Sequence, residues 1–147
     1  MVGDVAGKGV PASLFMAIAK TLAKSIASRV DQGLGVITTL ANQELSRENA
    51  EQLFVTLLIG ILDLESGELS LVNAGHDGPW RVSADGRVEQ ITCPTDAGGP
   101  PLCVIDDFSY VAQKLSLSPG DTLCLITDGV TEAMNVQHEQ YGAKRLE

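Results

Sequence analysis

The sequence predicts a single α+β domain, in which the helices are segregated from antiparallel strands. Two observations support this prediction. Apolar residues recur at helical spacing over the first part of the chain, and about six short strands in hairpin succession follow before helical propensity returns near residue 132. This arrangement along the chain is typical of the α+β class. A length of 147 residues suits one domain and is too short for two.

The N-terminal part of the chain predicts two helices. A glycine-rich loop covers residues 3–10, and Pro11 then stands where the first turn of a helix favours proline. Apolar residues at intervals of four predict the buried face of a helix that ends near Arg29. These residues are Leu14, Ile18, Leu22 and Ile26, with Phe15 beside them. Residues 36–46 predict a second helix. Its expected inward residues are Ile37, Leu40 and Leu45.

The rest of the chain predicts strands joined by tight turns. Residues 53–62 are apolar on both alternating faces, which is typical of a strand that is covered on both sides. A turn at 65–68 leads into the returning strand, which ends in a tight loop at 73–79. Further strands are expected at 80–82, 87–89, 110–117 and 122–126. The last of these is expected to be buried and to deliver Asp128 at its end.

Composition and charge argue against several classes of protein. Hydrophobic residues make up 44% of the chain and charged residues 20%, so the chain can build a core and is not disordered by composition. The net charge is −9, which argues against nucleic-acid binding, because a surface that binds the phosphate backbone needs clustered cations. We expect the excess of acid to serve solubility, and part of it could bind a cation.

The cysteines and the N-terminus predict a soluble, cytoplasmic segment. Cys93, Cys103 and Cys124 are odd in number and irregularly spaced, which argues against a disulfide framework or a zinc knuckle. The N-terminus has no charged region followed by an apolar run. The most apolar stretch, residues 53–62, is about half as long as a membrane-spanning helix. We expect no membrane segment here, although a longer parent protein could be attached to a membrane.

The glycine-rich loop does not have the spacing of a nucleotide-binding P-loop. That motif needs a Gly, four residues, then Gly-Lys and Ser or Thr. Here three residues separate Gly3 from Gly7, Lys8 is followed by Gly9, and no strand is expected ahead of the loop. Lys8 is the one cation in this loop. It could therefore meet an anionic substrate, or it could simply be solvated.

Two aspartates are candidates for a metal site. Asp4 precedes the glycine-rich turn and Asp128 follows the last predicted strand, so both stand where buried backbone meets a loop. Hard divalent cations such as Mg²⁺ and Mn²⁺ prefer oxygen ligands, and two carboxylates that converge from distant parts of a chain could supply them. The alternative is that Asp4 is a turn or capping residue and that Asp128 caps a helix near Thr131.

His76 lies in the loop at 73–79 and has three possible roles. It could be a general acid, a metal ligand or a hydrogen-bonding loop residue. No Ser or Cys stands in a strained strand-to-helix elbow, so a nucleophilic triad is not expected. The other histidine, His138, has no sequence context that suggests chemistry.

Seven short motifs, in the correct order, resemble those of the bacterial SpoIIE/RsbU-type serine/threonine phosphatases, a branch of the metal-dependent PP2C superfamily. The motifs lie at 3–17, 54–57, 73–76 with Pro79, 99–102, 119–121, 127–133 and 141–142. The resemblance covers essentially the whole chain. It implies an antiparallel β-sandwich flanked by helices on both sides, incomplete here.

The resemblance also implies an activity. Members of this family remove phosphate from phosphoserine or phosphothreonine, typically on small anti-sigma factor antagonists. The implied active site holds two Mn²⁺ or Mg²⁺ ions, which activate a water for in-line attack on phosphorus. By motif match, Asp4 is similar to the aspartate that bridges both metals, and Val5 would offer its backbone carbonyl to one of them. Asp128 is similar to the aspartate that binds one metal from the end of its strand.

Departures from the family pattern leave two hypotheses open. The family has another metal-binding acid upstream of Met1 and a further aspartate downstream of Glu147, so residues 1–147 are expected to be a single partial domain. Family members often carry a sensor domain upstream. The loop after His76 begins with Asp77, where relatives more often carry Asn, and Cys103 replaces a glycine. The chain is therefore either a phosphatase domain that retains two metal-binding acids, or a non-catalytic module that binds a partner protein in signalling.

Overall fold

The computed structural model describes residues 1–146 and confirms the predicted α+β class with antiparallel sheets. Ten helices and strands and one 3₁₀ turn follow in order. They are β1 (Val2–Val5), α1 (Val10–Ala27), α2 (Leu34–Arg47), β2 (Val55–Leu62), β3 (Glu68–Ala74), β4 (Trp80–Val82), β5 (Val88–Gln90), β6 (Gln113–Ser116), β7 (Thr122–Cys124), α3 (Asp128–Thr131) and the 3₁₀ turn Ala143–Arg145.

Two antiparallel sheets form the sandwich. The first has the strand order β1-β2-β3-β6 and the second has the order β5-β4-β7. Because successive side chains of a strand point to opposite faces, β2 supplies apolar side chains to the clusters on both faces of the first sheet. Val55, Leu57 and Ile59 pack in one cluster with residues of α1 and α2. Leu58 points the other way and packs in a second cluster with side chains that include Leu123 of the second sheet.

The helices cover one face of the first sheet. In residues 1–146, helices longer than one turn lie only on this side of the sandwich. The bounds of both helices differ slightly from the predicted ones. Helix α1 ends at Ala27 rather than near Arg29, and α2 runs over Leu34–Arg47 rather than 36–46. In α2, Ile37 and Leu45 are buried as predicted, and Leu40 is half-buried.

The predicted buried face of α1 is wrong at Leu14 and Ile18 and is confirmed at Phe15 and Ile26. Leu14 and Ile18 are 60% and 56% exposed, and Leu22 is half-buried. The helix instead buries a face of mostly small residues. These are Ala12, Phe15, Ala19, Ala23 and Ile26. The reason is geometric: a helix advances about 100° per residue, so residues spaced by four drift about 40° per step around its surface. The predicted stripe therefore starts in solvent at Leu14, meets the core at Leu22 and is fully buried at Ile26.

β1 was not predicted, and the expectation that no strand precedes the glycine-rich loop is wrong. Residues 2–5 pair with β2 in register, with Asp4 opposite Thr56. The close approach of the two strands explains why residue 3 is a glycine, since a Cβ there would lie 2.6 Å from the Thr56 carbonyl oxygen. The glycine that suggested a loop thus allows close approach to the neighbouring strand.

Three predictions about the strands need correction. β2 is covered on both sides only as far as Ile59, because Ile61 and Leu62 adjoin the turn into β3 and are 51% and 42% exposed. The predicted strand at 110–117 narrows to β6. The predicted strand at 122–126 narrows to β7, which is only partly buried because it pairs with β4 alone among the described strands.

The C-terminal part of the chain also differs from the prediction. The helical propensity near residue 132 yields only the one-turn helix α3, which ends at Thr131, and Met134 instead forms a β-bridge with Gln140. The helix expected to continue at the end of the chain appears as the 3₁₀ turn over Ala143–Arg145. Glu147 lies outside the described residues.

α1 is the one helix within residues 1–146 that is long and apolar enough to cross a membrane, judged by length and composition alone. Core helices of soluble proteins and signal sequences meet the same criterion. In this structure the helix packs against α2 and β1. The apolar stretch at 53–62 contains strand β2 instead.

Buried hydrogen bonds from α2 hold the loop that follows β5. The side chain of Asn42 is fully buried; its Nδ2 donates to the carbonyls of Ile105 and Asp106, each at 2.9 Å. Its Oδ1 accepts a hydrogen bond from the backbone N–H of Cys103 at 2.7 Å. Residues 103–106 of this loop are therefore held against α2, because one amide satisfies three of their backbone groups.

We predict that Asn42→Leu lowers the free energy of unfolding by about 1–3 kcal/mol. The leucine has a similar size but leaves the Cys103 N–H and two carbonyls without their buried partner. Urea denaturation of the variant and the wild type measures the difference. The matched control is Gln43→Leu, at the neighbouring half-buried position, which is expected to change stability less. Equal losses in the two variants would contradict the prediction.

A carboxylate joins the turns at one end of the second sheet. Asp121 accepts hydrogen bonds from the Ser118 N–H at 2.9 Å, from the Arg81 guanidinium at 2.7 Å and from the Ala84 N–H at 3.2 Å. These bonds, led by the one from Ser118, hold the pKa of Asp121 below its ordinary value. This gives a structural role to the motif at 119–121.

We predict that Asp121→Asn lowers the thermal midpoint near neutral pH and that the difference from wild type narrows in acid. A carboxylate whose pKa is lowered by folding stabilises the fold above its unfolded pKa, here the ordinary 3.8, and this stabilisation is lost as the pH falls through the folded pKa. Circular dichroism melts at about pH 7, 5 and 3 test this sign. A difference that widened as the pH fell would refute the assignment.

Candidate functional site

Six residues from four parts of the chain line a cavity of about 190 Å³. They are Asp4, Thr56, Gly75, His76, Asp77 and Asp128. Asp4 comes from β1, Thr56 from β2, residues 75–77 from the loop after β3, and Asp128 from the start of α3. The structure therefore brings together Asp4, His76 and Asp128, which the sequence analysis singled out. Their roles as ligands or catalytic groups stay predictions.

Strand register explains why these residues meet. Asp4 lies opposite Thr56, and both point toward the second sheet, because Val55 and Leu57 point toward the helices. β3 ends at Ala74, which pairs with Leu57, so the loop that follows β3 emerges beside Thr56. The segment after β7 then crosses to the same end of the sandwich, where Ile126 contacts His76.

The two candidate acids, Asp4 and Asp128, are solvent-exposed. Within residues 1–146, neither carboxylate accepts a hydrogen bond or pairs with a cation. Neither capping alternative is seen either: Asp4 lies within β1, and the N-cap of α3 is Thr127, with no side-chain capping bond. Both carboxylates therefore remain available for an external ligand.

His76 is held by protein groups through both ring nitrogens. Nδ1 lies 2.8 Å from the Thr56 hydroxyl and Nε2 lies 2.9 Å from the carbonyl oxygen of Ile126. The backbone of His76 is held as well, because Asn73 accepts from its N–H at 2.8 Å and donates to its carbonyl at 2.7 Å. Of the three roles left open by the sequence, this geometry favours a hydrogen-bonding loop residue.

The loop that carries His76 depends on a glycine. Gly75 has a φ of +67°, in the left-handed region that favours glycine, and a Cβ at this position would overlap the ring of Pro101. Pro101 belongs to the loop held by Asn42, so the packing of that loop bears directly on the wall of the cavity. The motifs at 73–76 and 99–102 therefore contact each other.

The cavity has the chemistry of a cation site. Asp4, Asp77 and Asp128 supply three carboxylates, and the described lining contains no Lys or Arg. Carboxylate oxygens are the preferred ligands of Mg²⁺ and Mn²⁺, which usually keep several waters. However, in the described part of the chain no three acidic, histidine or cysteine side chains lie close enough to hold an ion by themselves. The residues fit such an ion in donor type, with waters or further ligands completing its coordination.

Two other predicted site residues lie outside the lining of this cavity. Lys8 is exposed in the loop between β1 and α1. The side chain of Val5 packs at the edge of the helix-side core, at the end of β1. The structure adds Thr56 and Asp77 to the site. The signal for Thr56 was present in the sequence, because it is the one polar side chain in an otherwise apolar strand.

Comparisons with known proteins agree with this architecture. Among curated proteins, the chain is 26% identical to the phosphoserine phosphatase RsbU of Bacillus subtilis over 131 residues, which covers 89% of this chain and 38% of that protein. Among solved structures, the RsbU and RsbW domains of Rv1364c from Mycobacterium tuberculosis match with a TM-score of 0.75 and 27% identity, covering 90% of this chain and 35% of that one.

A third match supports the fold. The PP2C domain of SiaA from Pseudomonas aeruginosa superposes with a TM-score of 0.68 at 21% identity, over 98% of this chain and 56% of that one. The chain thus spans well under two thirds of the length of each of these relatives. The model of the family described as stage II sporulation protein E (SpoIIE) matches residues 1–147. The chain therefore belongs to the SpoIIE family, as its ordered motifs and PP2C-like sandwich had indicated.

Proposed function

We propose that this chain is the catalytic part of a metal-dependent protein phosphatase. Its substrate is phosphoserine or phosphothreonine on a regulatory protein of the anti-sigma factor antagonist type, and its setting is the cytoplasm. Membership of the SpoIIE family and the similarity to a phosphoserine phosphatase support the reaction class. Rv1364c, which carries RsbU and RsbW domains, supports a regulatory protein as the substrate.

The observation that carries the proposal is the unbalanced negative charge of the cavity. Three carboxylates line it, no basic residue among those described does so, and Asp4 and Asp128 have no described protein partner. A phosphoryl group is itself an anion, so it would be repelled from this cavity unless cations were present. Three carboxylates would repel a phosphorylated substrate in the absence of cations. They suit a site that binds Mn²⁺ or Mg²⁺ together with the substrate.

The residues of the chain have distinct roles in this proposal. Asp4 and Asp128 would hold the cations, with the Val5 carbonyl as a further ligand. When bound, two such cations would activate a water as the nucleophile and neutralise the phosphoryl oxygens. Asp77 adds negative charge at the rim of the cavity. Because the three aspartates are exposed to solvent, the site suits a substrate that is a protein segment rather than an enclosed small molecule.

The test is Mn²⁺-dependent release of phosphate from a phosphoserine protein by the protein at the full length its gene encodes. We expect Asp4→Asn and Asp128→Asn each to reduce the rate by more than about 100-fold. Residues that only orient metal ligands typically cost roughly 10- to 100-fold when mutated, and loss of a ligand should cost more. Asp85→Asn is the matched control, because this exposed carboxylate pairs with Arg87 at the tip of a hairpin and should leave the rate unchanged.

Two results would contradict the proposal. A wild-type rate that persists after EDTA treatment would argue against metal dependence. A wild-type protein that binds the phosphorylated partner but does not hydrolyse it would support the alternative, a non-catalytic module that acts in signalling by binding.

A further inference from the structure

The imidazole ring of His76 connects the two segments that carry Asp4 and Asp128. On one side, Nδ1 lies 2.8 Å from the Thr56 hydroxyl, and Thr56 lies opposite Asp4 in the pairing of β1 with β2. On the other side, Nε2 lies 2.9 Å from the carbonyl oxygen of Ile126, two residues before Asp128. A continuous connection therefore runs from β1, through its pairing with β2 and the ring of His76, to the segment between β7 and α3.

The partners of the ring determine its tautomer. A carbonyl oxygen only accepts hydrogen bonds, so the proton must be on Nε2 for the contact with Ile126 to form. In the neutral ring Nδ1 then carries the lone pair, and the Thr56 hydroxyl can donate to it. With both nitrogens engaged in this way, the ring has no free nitrogen for a metal ion or a substrate.

The segment that the ring holds is also held by the side chain of Leu125, which packs against the cluster around Leu58 of the first sheet. β7 ends at Cys124 and pairs only with β4 among the described strands, and residues 125–127 are half-buried. Asp128 is exposed and its carboxylate has no described partner. The bond from His76 to Ile126 lies closer along the chain to Asp128 than this packing contact does, and it helps to set where Asp128 lies relative to the first sheet.

The ring is itself well positioned for this task. The side chain of Asn73 brackets the His76 backbone with two hydrogen bonds, and Pro101 fills the space against Gly75. A side chain that is held at its backbone and at both ring nitrogens has little conformational freedom. It can therefore transmit the rigidity of the first sheet to a segment that lacks it.

We infer that His76 is a positioning residue, which holds the backbones of the Asp4 and Asp128 segments at the separation that cation binding requires. The inference rests on the proposed function, in that these two aspartates are taken as metal ligands. His76 then touches neither the ion nor the phosphoryl group, and acts only through Thr56 and Ile126. Outer partners of this kind, which orient the ligands, typically change metal affinity by roughly 10- to 100-fold when they are removed.

The experiment measures the Mn²⁺ dissociation constant, by electron paramagnetic resonance of free Mn²⁺, on the protein at full gene-encoded length. His76→Phe retains an aromatic ring and removes both bonds, and we expect it to weaken Mn²⁺ binding by roughly 10- to 100-fold. His138→Asn is the matched control at the other histidine, which is exposed and lies in a different turn, and its dissociation constant should equal that of wild type.

A second pair of variants tests the same chain of contacts without altering the ring. Thr56→Val is similar in shape and removes only the hydroxyl, so it should weaken Mn²⁺ binding in the same direction as His76→Phe. Thr56→Ser restores a hydroxyl and should recover most of the wild-type affinity. A role confined to packing would predict the reverse order, since valine fills the space of threonine better than serine does.

Kinetics provide a further distinction. At saturating Mn²⁺ we expect His76→Phe to recover much of its kcat, with the KM for the phosphoprotein close to wild type, because the ring does not contact the substrate. A general acid would instead leave kcat low at every Mn²⁺ concentration, and that result would overturn the inference.

The remaining outcomes separate this inference from the proposed function. If the wild type binds Mn²⁺ and both His76→Phe and Thr56→Val bind it equally well, the positioning role is wrong and the proposed function stands. If the wild type itself binds neither Mn²⁺ nor Mg²⁺, the proposed function is wrong and the positioning role is wrong with it.

Discussion

The central strand β2 pairs with β1 along one edge and with β3 along the other, and the positions of the cavity residues follow from this pairing. The register with β1 places Asp4 opposite Thr56, and the register with β3 brings the end of that strand beside Leu57. Alternation along β2 then separates two environments. One face binds the helices through apolar side chains, while the other carries Thr56 at the rim of the sandwich, where the second sheet no longer covers it.

The candidate site combines rigid and weakly held parts. The first sheet supplies Asp4, Thr56 and the base of the loop that carries His76, all within paired strands or directly after them. Asp128 comes from a segment that follows a three-residue strand and precedes a one-turn helix, so local structure does little to hold it. Hydrogen bonds through a single imidazole link the two parts. A cation that bound both aspartates would add a second link across the same gap.

Much of this architecture could be predicted from the sequence, because short-range signals dominate it. The turn before β3, the hairpin between β4 and β5, and the helical range of α2 follow from turn residues and apolar periodicity. The ordered motifs identified the family, and through it Asp4 and Asp128. What could not be predicted depends on long-range contacts. Gly3 lies in a strand because residues 2–5 pair with β2, about fifty residues later in the chain. The hydrogen-bond partners of His76 are also distant from it in sequence.

The packing of α1 against the rest of the fold also depends on long-range contacts. They bury small side chains of this helix and leave two large apolar ones exposed, the opposite of what side-chain size predicts. The helix packs against β1 and α2, Ala19 and Ala23 lie in clusters with residues of α2, and Leu14 and Ile18 remain in solvent. Small side chains let two backbones come close, and a close-packed contact leaves no room for added methylene groups. Substitution should therefore be tolerated at Leu14 and Ile18 and not at the buried alanines. For α1, the variability of a position across relatives would then report the distance between backbones rather than the hydrophobicity of the side chain.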